Sequence, residues 1–172
     1  YMFGVGATEM LGVVTTGEIW LTVPHTKFMR WSGRLGLGVS AKDMALAMLG
    51  RFGLNGARYG AIEYCGEAVR ALSMPERMTL CNMVIEAGGK NGIIPVDAVT
   101  EAFVKSKTAK PYQPVADDRD ARFHSVRRYK TADIQPTVAK PHSPDNRGTA
   151  RECKGTRLDR AYIGSCTGGK LN

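Results

Sequence analysis

The first 33 residues carry two kinds of apolar periodicity, one helical and one strand-like. Small and apolar residues after Thr8 predict a short helix that begins at this N-cap and ends at Gly17. Residues 18–23 then place Ile, Leu and Val at every second position, which is the period of a strand with one buried face. A second strand-like run, residues 27–31, ends at a Ser-Gly pair. This part of the chain therefore predicts one helix followed by two strands.

The most regular pattern lies in residues 34–110. Ser40 is followed three residues later by Asp43, which is the spacing of a capping box at the start of a helix. The helix that this box opens is predicted to run to Leu49 and to stop at Gly50, because glycine commonly ends helices.

Strand and helix signals then alternate along the rest of this stretch. Ser73 and Glu76 form a second capping box, and Pro75 stands in the first turn, where its missing N–H does no harm. The helix that they open is predicted to run to Ala87 and to end at the Gly pair that follows. Four more elements are predicted: a strand at residues 61–65, a short helix at 66–72, a short strand at 93–94 and a helix from Asp97 through Val104.

Residues 111–172 have a looser pattern. Five of the eight prolines lie here, and residues before proline avoid the helical region, so an extended backbone is predicted. One buried strand is predicted at residues 161–163. The alternation of strands and helices along the chain as a whole predicts an α/β fold class.

Composition narrows the class of protein. The 172 residues are 43% apolar and 23% charged, which fits one or two globular domains. No apolar run is long enough to span a membrane, and no basic leader opens the sequence. The four cysteines include no CxxC pair, so the sequence lacks the pattern of a zinc ribbon or a redox dithiol. Scattered cysteines are typical of reduced proteins, and a cytoplasmic location is predicted.

The net charge of +8 is concentrated in one region, because residues 101–160 contain 14 Lys and Arg against 8 Asp and Glu. One interpretation is a surface that binds nucleic acid. The other is a solvated linker, or a face that attracts a di-acid substrate or an acidic partner subunit. The basic residues alternate with acidic ones, which favours the second interpretation, so nucleic acid is not an expected partner.

Two stretches carry candidate chemistry. Cys166 follows the predicted strand at 161–163 and is flanked by glycines, which lets the backbone approach a metal cluster closely. A buried structural cysteine is the alternative. The same stretch nearly matches a phosphate-binding loop, but Leu171 stands where a hydroxyl would hold magnesium, so nucleotide binding is not predicted.

The second candidate stretch is residues 78–88, Met-Thr-Leu-Cys-Asn-Met-Val-Ile-Glu-Ala-Gly. On a continuous helix, Asn82 and Glu86 would share one face, beside an apolar stripe. A carboxylate in that position could exchange protons with a bound water. The alternative interpretation is the ordinary polar edge of an amphipathic helix.

These stretches resemble the large subunits of 3-isopropylmalate dehydratases, which are iron–sulfur hydro-lyases of the aconitase superfamily. Asp-Arg-Ala-Tyr-Ile-Gly-Ser-Cys-Thr, at residues 159–167, is similar to the family's segment with the first cluster cysteine, and residues 78–88 are similar to its Asn/Glu helix. Three further segments match in the same order: residues 3–10, 36–43 and 141–146.

The resemblance implies a fragment of the aconitase-type three-layer α/β/α architecture. Residues 1–33 would be the end of a first domain, and residues 34–110 a second α/β domain. Residues 111–172 would be a linker and the start of a third domain, which carries the cluster cysteine. The implied activity is the interconversion of 2- and 3-isopropylmalate in leucine biosynthesis, by dehydration and rehydration.

The resemblance also implies a 4Fe–4S cluster in the full-length protein, held by three cysteines and with one iron open to the substrate as a Lewis acid. Cys166 would be a metal ligand and Thr167 a cofactor-binding neighbour, while Asn82 and Glu86 would be catalytic. A small subunit and a 2- or 3-alkylmalate are the implied partners.

Parts of the family pattern are missing from this sequence. It contains neither the CxxC with the other cluster cysteines nor the Asp-Ser-His motif, and Gly168 replaces the usual Asn. The fragment itself is therefore predicted to be inactive. Two alternatives stay open: homoaconitase or another 2-alkylmalate hydro-lyase, and a non-catalytic basic fragment that binds nucleic acid or a partner subunit.

Overall fold

The computed structural model describes residues 2–165 and 167–168, in which helices pack against a five-stranded sheet. The strands of this sheet are β1 (Met2–Phe3), β2 (Thr26–Ser32), β3 (Ala61–Cys65), β4 (Asn91–Ile93) and β5 (Ser125–Lys130). The helices are α1 (Ala7–Thr16), α2 (Ala41–Phe52), α3 (Glu67–Arg70), α4 (Met74–Asn82) and α5 (Ala98–Lys107), with 3-10 turns at Ile85–Ala87 and Thr131–Asp133. A separate hairpin joins β6 (Thr137–Ala139) to β7 (Arg147–Thr149).

The sheet has the strand order β1-β4-β3-β2-β5, and the four strands from β4 to β5 run parallel, while β1 is antiparallel at the edge. A parallel sheet with crossover helices confirms the predicted α/β class. The sheet takes strands from all three of the predicted stretches, so residues 33 and 110 do not divide it into separate sheets. The assignment of those stretches to domains of a longer enzyme stays a prediction.

The hydrophobic core lies between this sheet and the helices α2 and α4. Alternate residues of β2 and β3 face the helices, and Trp31 and Tyr64 among them have no exposed surface. The Tyr64 hydroxyl lies 3.4 Å from Met48 Sδ on α2, and the Trp31 ring stacks on Tyr129 of β5 at 4.4 Å between centroids. These contacts join β3 to α2 and β2 to β5, while α4, which carries part of the candidate site, packs against α2 and β4.

Several locally encoded elements are confirmed. The strand at residues 61–65 has the predicted bounds, and β2 covers the predicted run at 27–31. Both capping boxes are present: the carboxylate of Asp43 accepts from the backbone N–H and hydroxyl of Ser40, and Glu76 does the same for Ser73. Asp97 caps α5 by accepting from the N–H of Thr100 at 3.1 Å.

Several helix boundaries differ from the prediction: α5 runs three residues beyond Val104, to Lys107, α3 is shorter than predicted, and three further differences have a visible reason. The N-cap of α1 is Gly6 rather than Thr8, because the Glu9 carboxylate accepts from the N–H of Gly6 at 2.8 Å. Helix α2 continues through Gly50 to Phe52, and a Cβ at Gly50 would stand 2.1 Å from Nε of Arg147. The glycine therefore serves a close approach of the β7 strand rather than the end of the helix. The third difference, the early end of α4, belongs to the candidate site.

Two predicted strands are wrong. Residues 18–23 form no strand, and Trp20 and Val23 are 87% and 91% exposed. Residues 161–163 form none either, with Tyr162 and Ile163 at 84% and 89% exposure. Alternation alone does not make a strand when no neighbouring strand supplies hydrogen bonds. Conversely, β5 was not predicted, because its pattern is broken by two arginines and its partner β2 is distant in sequence.

No helix in the described part of the chain has the length and apolar character needed to cross a membrane.

Limited trypsin digestion is expected to cut first after Arg119 or Arg122. Residues 111–124 form no helix or strand and are almost entirely exposed, whereas Lys42 and Arg51 lie on the packed helix α2. Proteases cut where the backbone opens at low free energy. Mass spectrometry of the earliest fragments gives the order of cleavage. Early cuts after Lys42 or Arg51, with the 111–124 segment intact, would show that the ordered block is assigned wrongly.

Candidate functional site

The predicted Asn/Glu helix is interrupted between its two candidate residues. Helix α4 ends at Asn82, and Glu86 lies in the separate 3-10 turn that follows. The prediction of one continuous helix face is therefore wrong. Asn82 is half-buried and Glu86 is exposed, so the structure does not place the two side chains as neighbours on a single helix face.

The break coincides with a close approach between two elements. Strand β4 approaches α4 so closely that a Cβ at Gly92 would stand 2.6 Å from the backbone of Cys81. The chain then turns, and Gly88 adopts a left-handed φ of 73° while its N–H donates to the carbonyl of Ile85 at 2.9 Å. Glycine takes this conformation at little cost, which is why it ends the turn. The turn leads directly into β4 and leaves the Glu86 side chain on the surface.

Asn82 lines a narrow cleft of about 10 Å³ between the turn, β1 and Lys90. A cleft of that volume holds about one water molecule. Lys90 is 11% exposed and forms an ion pair with Glu9 at 2.7 Å, which joins α1 to the turn. Hydrogen bonding from Lys90 and from the N–H of Gly6 lowers the pKa of the Glu9 carboxyl. Lys90 is not predictable as part of the site from the sequence, since nothing in its local sequence pairs it with Glu9.

The segment around the predicted cluster cysteine contacts α4. Cys166 itself lies outside the described residues. Its neighbour Thr167 is half-buried, and its carbonyl lies 3.3 Å from Oγ1 of Thr79, a hydroxyl whose one hydrogen is shared with the Pro75 carbonyl at 3.0 Å. On the other side of the cysteine, Ser165 has a left-handed φ of 82°, which is strained for a residue with a side chain. The structure thus brings Thr167 to the helix that ends in Asn82.

Cys65 and Cys81 are poorly suited to bind metal. Burial raises the pKa of the Cys81 thiol to about 12, and burial is also the main cause of the raised pKa of Cys65. Metals bind the thiolate, which such burial disfavours. Across residues 2–165 and 167–168, no group of three His, Cys, Asp or Glu side chains could hold a metal ion. The donor set that the resemblance implies for an iron–sulfur cluster is therefore not present in the described part of the chain.

Comparison with known proteins identifies the family. The model of the aconitase family (aconitate hydratase) matches residues 2–156. The chain is 49% identical over 167 residues to the chloroplastic 3-isopropylmalate dehydratase large subunit of Arabidopsis thaliana, covering 97% of this chain and 33% of that protein.

Two further relatives have similar sequence identities to this chain. The chain is 45% identical to the probable methanogen homoaconitase large subunit of Methanosarcina mazei, covering 98% of this chain and 43% of that protein. It is 43% identical to the 3-isopropylmalate dehydratase large subunit of Moorella thermoacetica, with 98% and 40% covered. The chain therefore spans well under half of the length of the curated relatives that it matches.

Proposed function

Because the chain belongs to the aconitase family, we propose that it is part of the large subunit of a hydro-lyase that interconverts 2- and 3-isopropylmalate in leucine biosynthesis. The names of the relatives from Arabidopsis thaliana and Moorella thermoacetica support this activity. The single structural observation in its favour is the hydrogen bond of 3.3 Å between Thr79 and Thr167. This contact joins the two segments that contain the candidate site residues.

The proposed roles of the residues follow from their chemistry and position. Cys166 is one thiolate ligand of a 4Fe–4S cluster in the full-length protein, and the Thr167 backbone holds the loop beside α4. Asn82 offers an amide at the end of α4, where it can orient a polar ligand through hydrogen bonds. Glu86 presents an exposed carboxylate, which can exchange a proton with a bound water.

The cleft at Asn82 is too small for an alkylmalate, so the substrate cavity of the parent enzyme needs further walls. We infer that they come from other parts of the large subunit and from a small subunit. The relatives are named large subunits, which supports a partner of this kind. A reducing compartment, such as the cytoplasm or the plastid stroma, is compatible with an iron–sulfur cluster and with the free cysteines Cys65, Cys81 and Cys153.

Homoaconitase is the second candidate function. The Methanosarcina mazei relative carries that name, and its identity of 45% is close to that of the dehydratases. The two activities share the dehydration chemistry and differ in the substituent of the malate. The cleft at Asn82 has a volume of about 10 Å³ and does not by itself distinguish one substituent from another.

We expect the 172-residue chain by itself to form no stable iron–sulfur cluster and to have no dehydratase activity. It supplies one candidate cluster thiolate, and the burial of Cys81 disfavours a second. The measurement is iron content and visible absorption after anaerobic reconstitution. Near-stoichiometric iron in this chain would contradict the assignment of ligands.

The activity itself is tested on the full-length parent with its partner subunit. Turnover of 3-isopropylmalate well above that of homoaconitate would support the proposed function, and the reverse preference would support homoaconitase. Equal inactivity on both substrates, in a protein that carries its cluster, would exclude both activities.

A further inference from the structure

A buried carboxylate lies on the face of the sheet opposite α2 and α4. Alternation along β3 points Tyr64 into the helical core and Glu63 to the other face. Its register partners on the neighbouring strands are Phe28 and Ile93. Although this face carries no helix of the core, Glu63 is only 2% exposed.

The cover over Glu63 comes from the segment of residues 111–124, called here the strap. The Phe123 ring of the strap packs on Phe28 of β2 with 4.5 Å between centroids. Between the strap, β4 and the first turn of α5 lies a cavity of about 390 Å³. Cavities of this size commonly hold small molecules.

The walls of this cavity are of two kinds. Three carboxyl groups line it: Glu63 from β3, Glu101 from α5 and Asp117 from the strap. The rest of the lining is apolar apart from Thr100, and comes from residues 93–96 and 114–116. No Lys, Arg or His of the described residues is part of the lining, although the whole chain has a net charge of +8. The cavity is therefore acidic at one side and apolar at the other.

One oxygen of Glu63 is not satisfied. Its Oε1 is fully buried and has no hydrogen-bond partner among the described residues. A buried polar atom without a partner costs about 1–3 kcal/mol, so native structures usually supply one. Burial, followed by the neighbouring Asp117 carboxyl, raises the pKa of Glu63 to about 7. The two carboxyl groups thus compete for one proton, and Oε1 of Glu63, a residue of the cavity lining, is left without a donor.

We propose that this cavity binds a small organic cation, a primary alkylammonium or a guanidinium, whose N–H groups donate to Glu63 and Asp117 while its hydrocarbon part packs on the apolar wall. A cation with several donors would satisfy Oε1 and would relieve the repulsion between the two carboxylates. The apolar wall gives an alkyl chain a dry surface.

A metal ion fits the cavity less well. The carboxylates are not arranged as a group of three that could hold a metal, within the residues that the structure describes. Divalent cations such as Mg²⁺ keep several water molecules and prefer sites made of oxygen ligands. Half of this cavity is lined by Ile, Val and Pro side chains, which cannot replace those waters.

Binding should depend on pH in a defined direction. A proton on the Glu63–Asp117 pair competes with the cation, so affinity is expected to fall as the pH drops below about 7. The other charged groups nearby are Glu101 and Lys105, whose ammonium lies 3.6 Å from Glu101. Cys65 lies two residues along β3, on the same face, next to Arg30 of β2. An alkylammonium stays protonated from pH 6 to 8. A change in affinity over this range therefore reflects protonation of the protein and not of the ligand.

The experiment is calorimetric titration of the 172-residue chain at pH 8 and low salt with n-butylammonium, with butylguanidinium, and with butan-1-ol as a neutral analogue. Saturable binding of at least one cation, about tenfold or more tighter than butan-1-ol, is expected from the charge-assisted hydrogen bonds. Glu63→Gln is expected to weaken that binding by about tenfold or more. Asp118→Asn, next to the cavity but not part of its lining, is the matched control and should leave binding unchanged.

Asp117→Asn provides a second variant on the exposed strap, in case the buried Glu63→Gln disturbs folding as judged by circular dichroism. A lysine-containing tripeptide that binds like butylammonium would identify a protein side chain as the source of the cation. A tripeptide that does not bind would identify a free small molecule. Three results would overturn the proposal: no saturable binding of either cation, equal binding of butan-1-ol, or tighter binding of Mg²⁺ or Mn²⁺ than of the amines. None of these results bears on the dehydratase activity.

Discussion

Replacing Asp97 by alanine is expected to lower the free energy of unfolding by about 3 kcal/mol, because the change leaves the buried guanidinium of Arg77 without its counter-charge. The Arg77 side chain is 2% exposed, and it donates to both carboxylate oxygens of Asp97 at 2.6 and 2.8 Å. Breaking a buried ion pair by removing one partner typically costs about 3–5 kcal/mol. The lower end applies here because the carboxylate is 33% exposed.

The pair connects three elements, which is why its loss should affect the whole fold. Arg77 on α4 also donates to the carbonyls of Arg70 and Leu72, at 2.9 and 3.0 Å, and so satisfies the end of α3. Asp97 in turn caps α5. Alanine at position 97 removes that cap as well, a loss of about 1 kcal/mol on its own that is included in the expected total.

Urea unfolding followed by circular dichroism at pH 7 measures the effect. The control is Asp133→Ala, which removes an exposed pair with Arg51 at 3.9 Å and should change stability by less than about 1 kcal/mol. Adding Arg77→Met to Asp97→Ala is expected to recover part of the loss, since no unpaired charge then remains buried. Equal destabilisation by Asp97→Ala and Asp133→Ala would show that the buried pair contributes no more than a surface pair.

The same pair predicts a pH dependence. Hydrogen bonding from Arg77 lowers the pKa of Asp97 to about 2, below its ordinary value of 3.8. A carboxyl whose pKa is lower in the folded state stabilises the fold above the unfolded pKa, and this contribution is lost as the pH falls from about 4 towards 2. Between about pH 4 and pH 2, the free energy of unfolding of Asp97→Ala should therefore fall less steeply with decreasing pH than that of the unchanged protein.

The elements that could be predicted from the sequence are those encoded by neighbouring residues. Ser40 with Asp43, and Ser73 with Glu76, specify helix starts through contacts three residues apart, and both are present. The predicted strand at residues 18–23 had the right alternation and failed because no other strand lies beside it. Strand β5 was missed for the opposite reason, since its pairing with β2 involves residues far apart in the chain.

The candidate site divides in the same way. Residue types and spacing were enough to single out Asn82 and Glu86 as candidates, but not to predict the break between them. That break lies where Gly92 approaches Cys81 closely, a contact between separate elements. The Glu63 cavity could not be predicted from the sequence for the same reason, since Asp117 lines it only because the strap lies over the sheet. The only local signal was one acidic residue in the otherwise apolar strand β3.

In the full-length parent with its partner subunit, Cys166→Ser is expected to abolish the cluster, whereas Glu86→Gln should retain the cluster and lose turnover by about 10²–10⁴-fold. This prediction rests on the proposed function. A serine hydroxyl is a much poorer ligand for iron in such a cluster than a thiolate, and the loss of one of three anchors should make the cluster labile. Glutamine keeps the size of Glu86 but cannot take up a proton at neutral pH.

The two variants separate structural from chemical roles through different measurements. Iron content and the visible absorption of the cluster report on Cys166, while turnover per cluster and its pH profile report on Glu86. Cys153→Ser is the matched control for the thiol, because Cys153 is a half-buried free cysteine next to the β6–β7 hairpin. Glu18→Gln is the control for the carboxylate, since Glu18 is exposed and outside the helices and strands. Both controls should retain full iron and full activity.

The exposure of Glu86 makes its variant the more demanding test. An exposed carboxylate in a short turn is the ordinary expectation for a solvated surface, and nothing in its own packing requires a glutamate there. If Glu86→Gln has the turnover of the unchanged enzyme, Glu86 is the polar edge of a turn and the proton must be exchanged by another group. If Cys166→Ser keeps its iron, the loop held against Thr79 by Thr167 has a purely structural role. A selective loss, of iron in one variant and of turnover in the other, would support both assignments independently.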